Sequence, residues 1–201
     1  MTGHPFRADQ GQTILIYVVV VGGLLFLAFA YFAFAQAAVA RNGAQSAADA
    51  AALAAAQEVR DQMADGLTGA LGGDGDWAAW LSGDHAVPGT GDAAAAQLAG
   101  ANDATLDGLT PTTVRGLPAF EASVTTRFTV GKSVIPGTES RHAQAHAVAM
   151  IEPRCTVMPS DDSKLIKFDC DGGQHWNIDP KKLQDIELPR AKDLFAVHLA
   201  E

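Results

Sequence analysis

Cys155 and Cys170 are the only cysteines of the chain and stand fifteen residues apart. In an oxidising compartment a disulfide is their natural pairing, and closing a loop of this size contributes about 3 kcal/mol in the chain-entropy account. In a reducing compartment they would remain two thiols. A metal site is the weaker reading, because neither a CxxC pair nor a histidine cluster accompanies them. His142 and His146, four apart, would suit zinc on a helix, but the stretch around them alternates like a strand, where i and i+4 lie about 13 Å apart. Gly73-Asp74-Gly75-Asp76 offers oxygen ligands on a tight loop, yet it lacks the twelve-residue spacing and closing glutamate of a calcium loop and reads as a solvated turn. Asp169, Asp171, Gly172 and Gly173 resemble a calcium fragment, yet Asp-Gly-Gly after a strand reads as a turn. Asp161-Asp162 has no partner that would make it a catalytic pair. No GxSxG, P-loop, HExxH or dinucleotide fingerprint occurs. The expectation is a protein that is not an enzyme, with no cofactor and no metal.

If chemistry does not define the chain, its architecture must. Across 201 residues the formal charge is −9, yet 48% of residues are hydrophobic and the mean hydropathy is +0.07, so apolar sequence is concentrated somewhere. Residues 1–41 hold Arg7 and Arg41 against Asp9; residues 42–110 hold Arg60 against ten acids; residues 111–201 are nearly balanced. The chain thus divides into an apolar head, an acidic Ala/Gly-rich middle and a charge-balanced tail. No basic tract exists, which excludes a nucleic-acid partner of the usual electrostatic kind.

No charged residue occurs between Gln10 and Ala40, and residues 14–35 contain no strongly polar side chain. Twenty-two helical residues extend about 33 Å, enough for a hydrocarbon core of about 30 Å. The expected location is the cell membrane, crossed once. Arg7 and the terminal amine face a long acidic flank, which favours a cytoplasmic amino terminus and an extracytoplasmic remainder. Ala33-Phe34-Ala35 before Gln36 also has the small-x-small form of a signal-peptidase site, but the apolar run is longer than a secretory core and helix-forming sequence continues through it.

Beyond the span, only Gly43 interrupts a helix-favouring run rich in alanine, so one helix over residues 13–64 is expected. A seven-residue register places Ala30, Ala37, Ala44 and Ala51 at one position, with Ala33, Ala40, Ala47 and Ala54 three further on. Arg41, Asn42, Gln45, Ser46 and Asp49 fall elsewhere. Such a small-residue seam lets another helix backbone approach closely. Sixteen of the 29 residues from 28 to 56 are alanine, so composition alone supplies part of the pattern.

Arg7, Gly11-Gln12, the apolar span and the run Ala47-Ala48-Asp49-Ala50-Ala51-Ala52-Leu53-Ala54 together resemble the amino-terminal segment of the Tad-type (Flp) pilus-assembly proteins, the TadE/TadG-like group, especially its actinobacterial members. The resemblance is strongest over residues 7–60. It implies an envelope protein, anchored by this helix, that helps to build or stabilise a surface pilus, with other pilin-like or pilus-assembly proteins, or further copies of itself, as partners. Some relatives are pseudopilins cut after a glycine, with glutamate five residues into the mature chain. Gly11 and Gln12 would be the site here, but the residue five after Gly11 is Ile16. TadG-like relatives often carry a large further domain, so the TadE-like comparison is the closer.

Residues 66–110 are rich in Gly, Asp and Ala, with turns at Gly72-Gly73, Gly75, Pro88-Gly89 and Gly91 and two short helices: one presenting Trp77 and Trp80, another from an Asp92 cap to about Ala101. Residues 120–130 alternate apolar and polar, as does 143–151 after turns at Gly131 and Pro136-Gly137; residues 164–170 and 194–200 are further strand candidates. The expected fold class is α+β: a long amino-terminal transmembrane helix continuing outside the membrane, then a small ectodomain of short helices and an antiparallel sheet of about four strands. The expected division is a cytoplasmic head (1–13), the transmembrane segment (14–35), an Ala-rich helical extension (36–65), an acidic helical linker region (66–110) and a mainly β ectodomain (111–201). The functional expectation is a membrane-anchored, non-enzymatic component of Tad-type pilus assembly. The alternative is a secreted or surface-held binding module or adhesin whose first 35 residues are a cleaved signal.

Overall fold

A computed structural model describes residues 12–73, 75–85, 89–129, 131, 140–160 and 165–200. Arg7, Gly11, Asp74, Pro88, Pro136-Gly137 and Asp161-Asp162, all singled out in the sequence, lie outside the described residues.

One helix, α1 (Gln12–Leu71), runs for sixty residues and organises everything that follows. It continues seven residues past the expected end at Ala64, because Gly66 and Gly69 are accommodated inside it. Gly66 has a steric reason: a methyl group there would stand 2.4 Å from the indole of Trp80, which lies against the helix. From Ile14 to Val39 the large apolar side chains of α1 are exposed. From Ala40 onward the buried positions are Ala44, Ala47, Ala48, Ala51, Ala52, Ala55, Ala56, Val59, Met63, Ala64, Leu67 and Leu71, the i, i+3, i+4 progression of one helical face.

That face packs against a four-stranded antiparallel sheet with the order β1 (Ala104–Val114), β2 (Leu117–Thr129), β3 (His142–Pro153), β7 (Phe195–Leu199). Alternation decides which side chains turn inward: Phe120, Ala122 and Val124 from β2, with Ala147, Ala149 and Ile151 from β3. Phe120 pairs with Ala149 and Ala122 with Ala147, so alanines of the sheet meet alanines of the helix and the two backbones come close. Val114 pairs with Leu117 around a two-residue turn, Arg115-Gly116, with both residues at positive φ, as the right-handed twist of a tight hairpin requires.

Among the described residues three short helices complete the α layer: α2 (Trp77–Ser82), α3 (Asp92–Ala101) and α4 (Ala191–Leu194). The residue expected to cap α3, Asp92, is instead its first helical residue, and Gly91 occupies the cap. Gly91 has φ +73°, and a methyl group there would meet the Ala55 backbone at 2.7 Å, so conformation and close approach to α1 both require glycine. A second antiparallel sheet contains β4 (Cys155–Val157), β5 (Ile166–Cys170) and β6 (Gln174–Ile178), followed by a 3-10 helix at Pro180–Asp185. Phe168 and Ile178 are fully buried and join the same core as the first sheet.

The α+β class, the long helix and the four-stranded antiparallel sheet are as expected. Two memberships differ: the strand read at 164–170 belongs to the second sheet, and the place left in the first is taken by β1. This strand starts inside the stretch read as linker, at Ala104.

Candidate interaction surface

Four parts of the molecule could carry function: the exposed apolar stretch of α1, the alanine seam, the junction where the sheet meets the helix, and the polar groups distributed over the two sheets.

The apolar stretch is the largest feature. Phe26, Phe29, Tyr31, Phe32 and Phe34 are all more than half exposed, as are Ile14 to Val20 and Leu24, Leu25 and Leu27. Water does not tolerate a surface of this size and continuity. By length and composition the helix can cross a membrane.

The seam divides at Ala40. Ala40, Ala44, Ala47 and Ala51 are buried in the chain's own core, and Ala54 is half-buried. The sequence register assigned these residues to a second helix; the sheet and α3 occupy that face instead, because alanine admits a β-sheet as readily as another helix. Ala30 and Ala37 remain exposed and Ala33 is half-buried, so the seam is open to a partner only along its first half.

At the junction, the end of β2 leans on α1. Phe128 and Thr129 form one wall of a groove of about 320 Å³, with Phe32, Ala35, Gln36, Val39 and Ala40 as the other. The Phe128 ring covers Gly43. Gln36 Oε1 is buried in this region with no hydrogen-bond partner among the described residues.

The polar groups nominated by the sequence are engaged structurally. Cys155 and Cys170 sit opposite each other on β4 and β5 and are joined by a disulfide. His142 and His146 lie on β3, and the Nδ1 of His142 is 2.7 Å from the Thr126 carbonyl. Asp169 Oδ1 is 2.7 Å from His175 Nδ1 across the β5–β6 ladder, and Arg154 Nε approaches Asp171 at 3.4 Å. Asp76 caps α2 by accepting from the Ala79 amide. Gly172 and Gly173, both at positive φ, form the turn the sequence indicated. Among the described residues no group of three or more His, Cys, Asp or Glu side chains is placed to hold a metal.

Among the charged pairs that sequence reasoning missed, the one with a resolved electrostatic effect is Arg190–Asp193. Arg190 Nε donates to Asp193 at 3.0 Å, and the Asp193 carboxylate also accepts from the Arg190 amide. The hydrogen bond from Arg190 holds the Asp193 carboxyl below the ordinary aspartate range against the opposing effect of desolvation. The arrangement secures the start of α4 rather than a ligand.

Fold and surface therefore define a class: an α+β protein built on one continuous helix, whose first part is apolar enough to cross a membrane and whose second part is the centre of the core. Residues 11–58 match the family model Tad, described as putative Flp pilus-assembly TadE/G-like. The amino-terminal segment is thus similar to the TadE/G-like family, in line with the sequence resemblance, and the match supports a pilus-related role. It covers the apolar span and most of the alanine extension and stops before the sheets. No curated protein and no solved structure matches the chain.

Proposed function

We propose that the chain is a single-pass envelope protein of a Tad/Flp-type pilus system, with residues 1–13 cytoplasmic, 14–35 in the bilayer and the remainder extracytoplasmic. It acts without enzymatic chemistry, through packing of its membrane helix and contacts of its ectodomain. Its partners are the lipid bilayer and pilin-like or pilus-assembly proteins, further copies of itself included. The observation that carries this reading is that the TadE/G-like match falls on the helix that is exposed and apolar at one end and buried in the core at the other. Within the seam, Ala30, Ala33 and Ala37 are the positions available for docking another helix.

The secreted binding module remains a second reading, because burial begins at Ala40 and a chain cut after Ala35 would keep its whole core. Intact mass of the native protein, measured together with its flotation in a lipid gradient, separates the two. Flotation with a start at Met1 or Thr2 supports the anchor. Flotation with a start at Gln12 adds prepilin-type processing at Gly11. A start at Gln36 with recovery from the medium overturns the anchor and leaves the secreted module.

A further inference from the structure

Arg115 occupies a turn position that suits it poorly. It has φ +53° in the two-residue turn Arg115-Gly116, where asparagine, aspartate or glycine adopts the left-handed backbone at less cost. With Val114 it borders a groove of about 360 Å³ whose other residues are Met150, His198, Leu199 and Ala200. Met150 and His198 pair across β3 and β7 on the face turned away from α1, since Ala149 and Ile151 on either side of Met150 turn inward. Met150 is nonetheless only 3% exposed, so the groove has a buried apolar floor on the solvent side of the sheet. His198 faces Glu152 at 3.7 Å, whereas Arg115 is exposed and has no hydrogen bond or ion pair among the described residues.

A matching carboxylate lies at the same height on the other side of the molecule. Gly83 marks the level: a methyl group there would stand 3.4 Å from Pro153, 3.8 Å from Met63 and 3.9 Å from Pro118. Ala119, next to Pro118, pairs with Met150, so the groove and Met63 share a level along α1. Asp65 is exposed, about 3 Å further along α1 and about 200° round the helix from the buried Met63. It has no partner among the described residues, whereas Asp61 is held by Arg60 at 2.8 Å and Glu58 accepts from Gln62 at 3.4 Å. Gly69, one turn beyond Asp65, has nothing among the described residues within 4 Å of where its methyl group would be. Glycine weakens a helix, and unlike Gly66 this one has no packing reason inside the chain. It leaves the helix backbone bare beside Asp65, as Gly116 leaves the turn bare beside Arg115.

We propose that copies of this chain associate side by side through these two faces, the groove at Arg115 of one copy receiving the Asp65 carboxylate of the next. Each copy is held at one height by its unbroken helix, so residues that share a level within a copy also share it between neighbours. The two faces differ, so the contact is heterologous and repeats from copy to copy, building a row or a ring rather than a closed pair. This rests on the anchored reading above, and the occupant of the groove is a second copy rather than a different protein.

The test is the full chain in phosphatidylcholine vesicles, with donor and acceptor dyes on the amino termini of separate batches and self-association read by energy transfer. Arg115→Asp and Asp65→Arg are each expected to weaken association about ten-fold, and the two together in one chain to restore it. Asp65→Arg, on an exposed helical position, serves alone if Arg115→Asp disturbs the turn. Arg115→Asn relieves the backbone, so it is expected to raise the unfolding midpoint while weakening association; a purely structural Arg115 would move the two together and overturn the contact. Chains carrying Arg115→Cys mixed with chains carrying Asp65→Cys are expected to give dimers with a short bismaleimide, and neither batch alone. Dimers from either batch alone mark a two-fold contact and overturn the heterologous one. Energy transfer that survives both charge reversals, or that is lost only when Ala30, Ala33 and Ala37 are replaced by Leu, overturns the sheet-to-helix contact and keeps the anchor. A chain that does not float with vesicles overturns the anchor itself.

Discussion

The ring of Phe128 lies over Gly43 so closely that a methyl group on the glycine would stand 3.0 Å from Phe128 Cζ. The same relation holds at Gly66, where the methyl would be 2.4 Å from Trp80. The two aromatics differ in freedom: Phe128 is partly exposed, whereas Trp80 is held between the helix and His85, with ring centroids 4.0 Å apart. Gly43→Ala is therefore expected to change stability by less than about 1 kcal/mol, since helix propensity offsets a small shift of Phe128. Gly66→Ala is expected to destabilise by about 1–3 kcal/mol despite the same propensity gain, because the indole must leave its seat. Urea unfolding followed by tryptophan emission distinguishes the two, and equal effects would contradict the geometry.

The division of the alanine seam at Ala40 gives a second expectation. Ala51 is fully buried, so Ala51→Leu is expected to cost about 1–3 kcal/mol of ectodomain stability through overpacking. Ala37 is exposed, so Ala37→Leu leaves the unfolding midpoint unchanged. Replacing Ala30, Ala33 and Ala37 together by Leu is then the informative triple substitution for partner binding, read by co-purification. A triple variant at Ala44, Ala47 and Ala51 would instead report damage to the core.

The disulfide closes a fifteen-residue separation between adjacent strands of the smaller sheet. Its removal by the double substitution of Cys155 and Cys170 to Ser is expected to lower stability by about 3 kcal/mol in the chain-entropy account. The loss should register first at Trp176, on β6 beside β5, before Trp80 on α2. Simultaneous loss of both signals at unchanged midpoint would contradict it.

The Arg190–Asp193 pair gives an acid dependence of known sign. The Asp193 carboxyl is held below the ordinary aspartate range by the Arg190 hydrogen bond, so its stabilising contribution is present above that range. It is lost as pH falls through the depressed folded value, from about pH 5 downward. Arg190, raised by the same contact, stays charged throughout. Asp193→Asn is expected to lower the melting temperature at neutral pH and to flatten its decline in acid; an unchanged acid slope would exclude the pair as a contributor.

Much of the architecture could be read from residue types. The apolar stretch at residues 14–35 follows from the lack of any charged or strongly polar side chain, and β2 and β3 follow from alternation around Phe120–Val124 and Ala145–Ile151. β1 was hidden because its register breaks between Leu106 and Gly108 and because it contains Pro111, which an edge strand tolerates but a sequence pattern counts against. β6 was hidden by Gln174, His175 and Asn177, which are polar on both sides of a two-residue period. The seam was visible, but what covers it was not: when alanine occupies every face of a helix, hydropathy no longer marks the side that turns inward. The groove at Phe128 depends on a contact between residues 85 positions apart, and no local pattern announces it.

Sixty residues of helix pass from the apolar end to the far side of the core without a break, so no joint separates the two. In a bilayer the inclination of the span is then also the inclination of the ectodomain. From Gln36 to Leu71 the axis extends about 54 Å, so a change of about 10° in the angle of the span swings the far end sideways by about 9 Å. A bilayer that is locally thicker or thinner would thereby steer where the outermost loops point, and the helix would act as a lever between lipid thickness and whatever stands above the membrane.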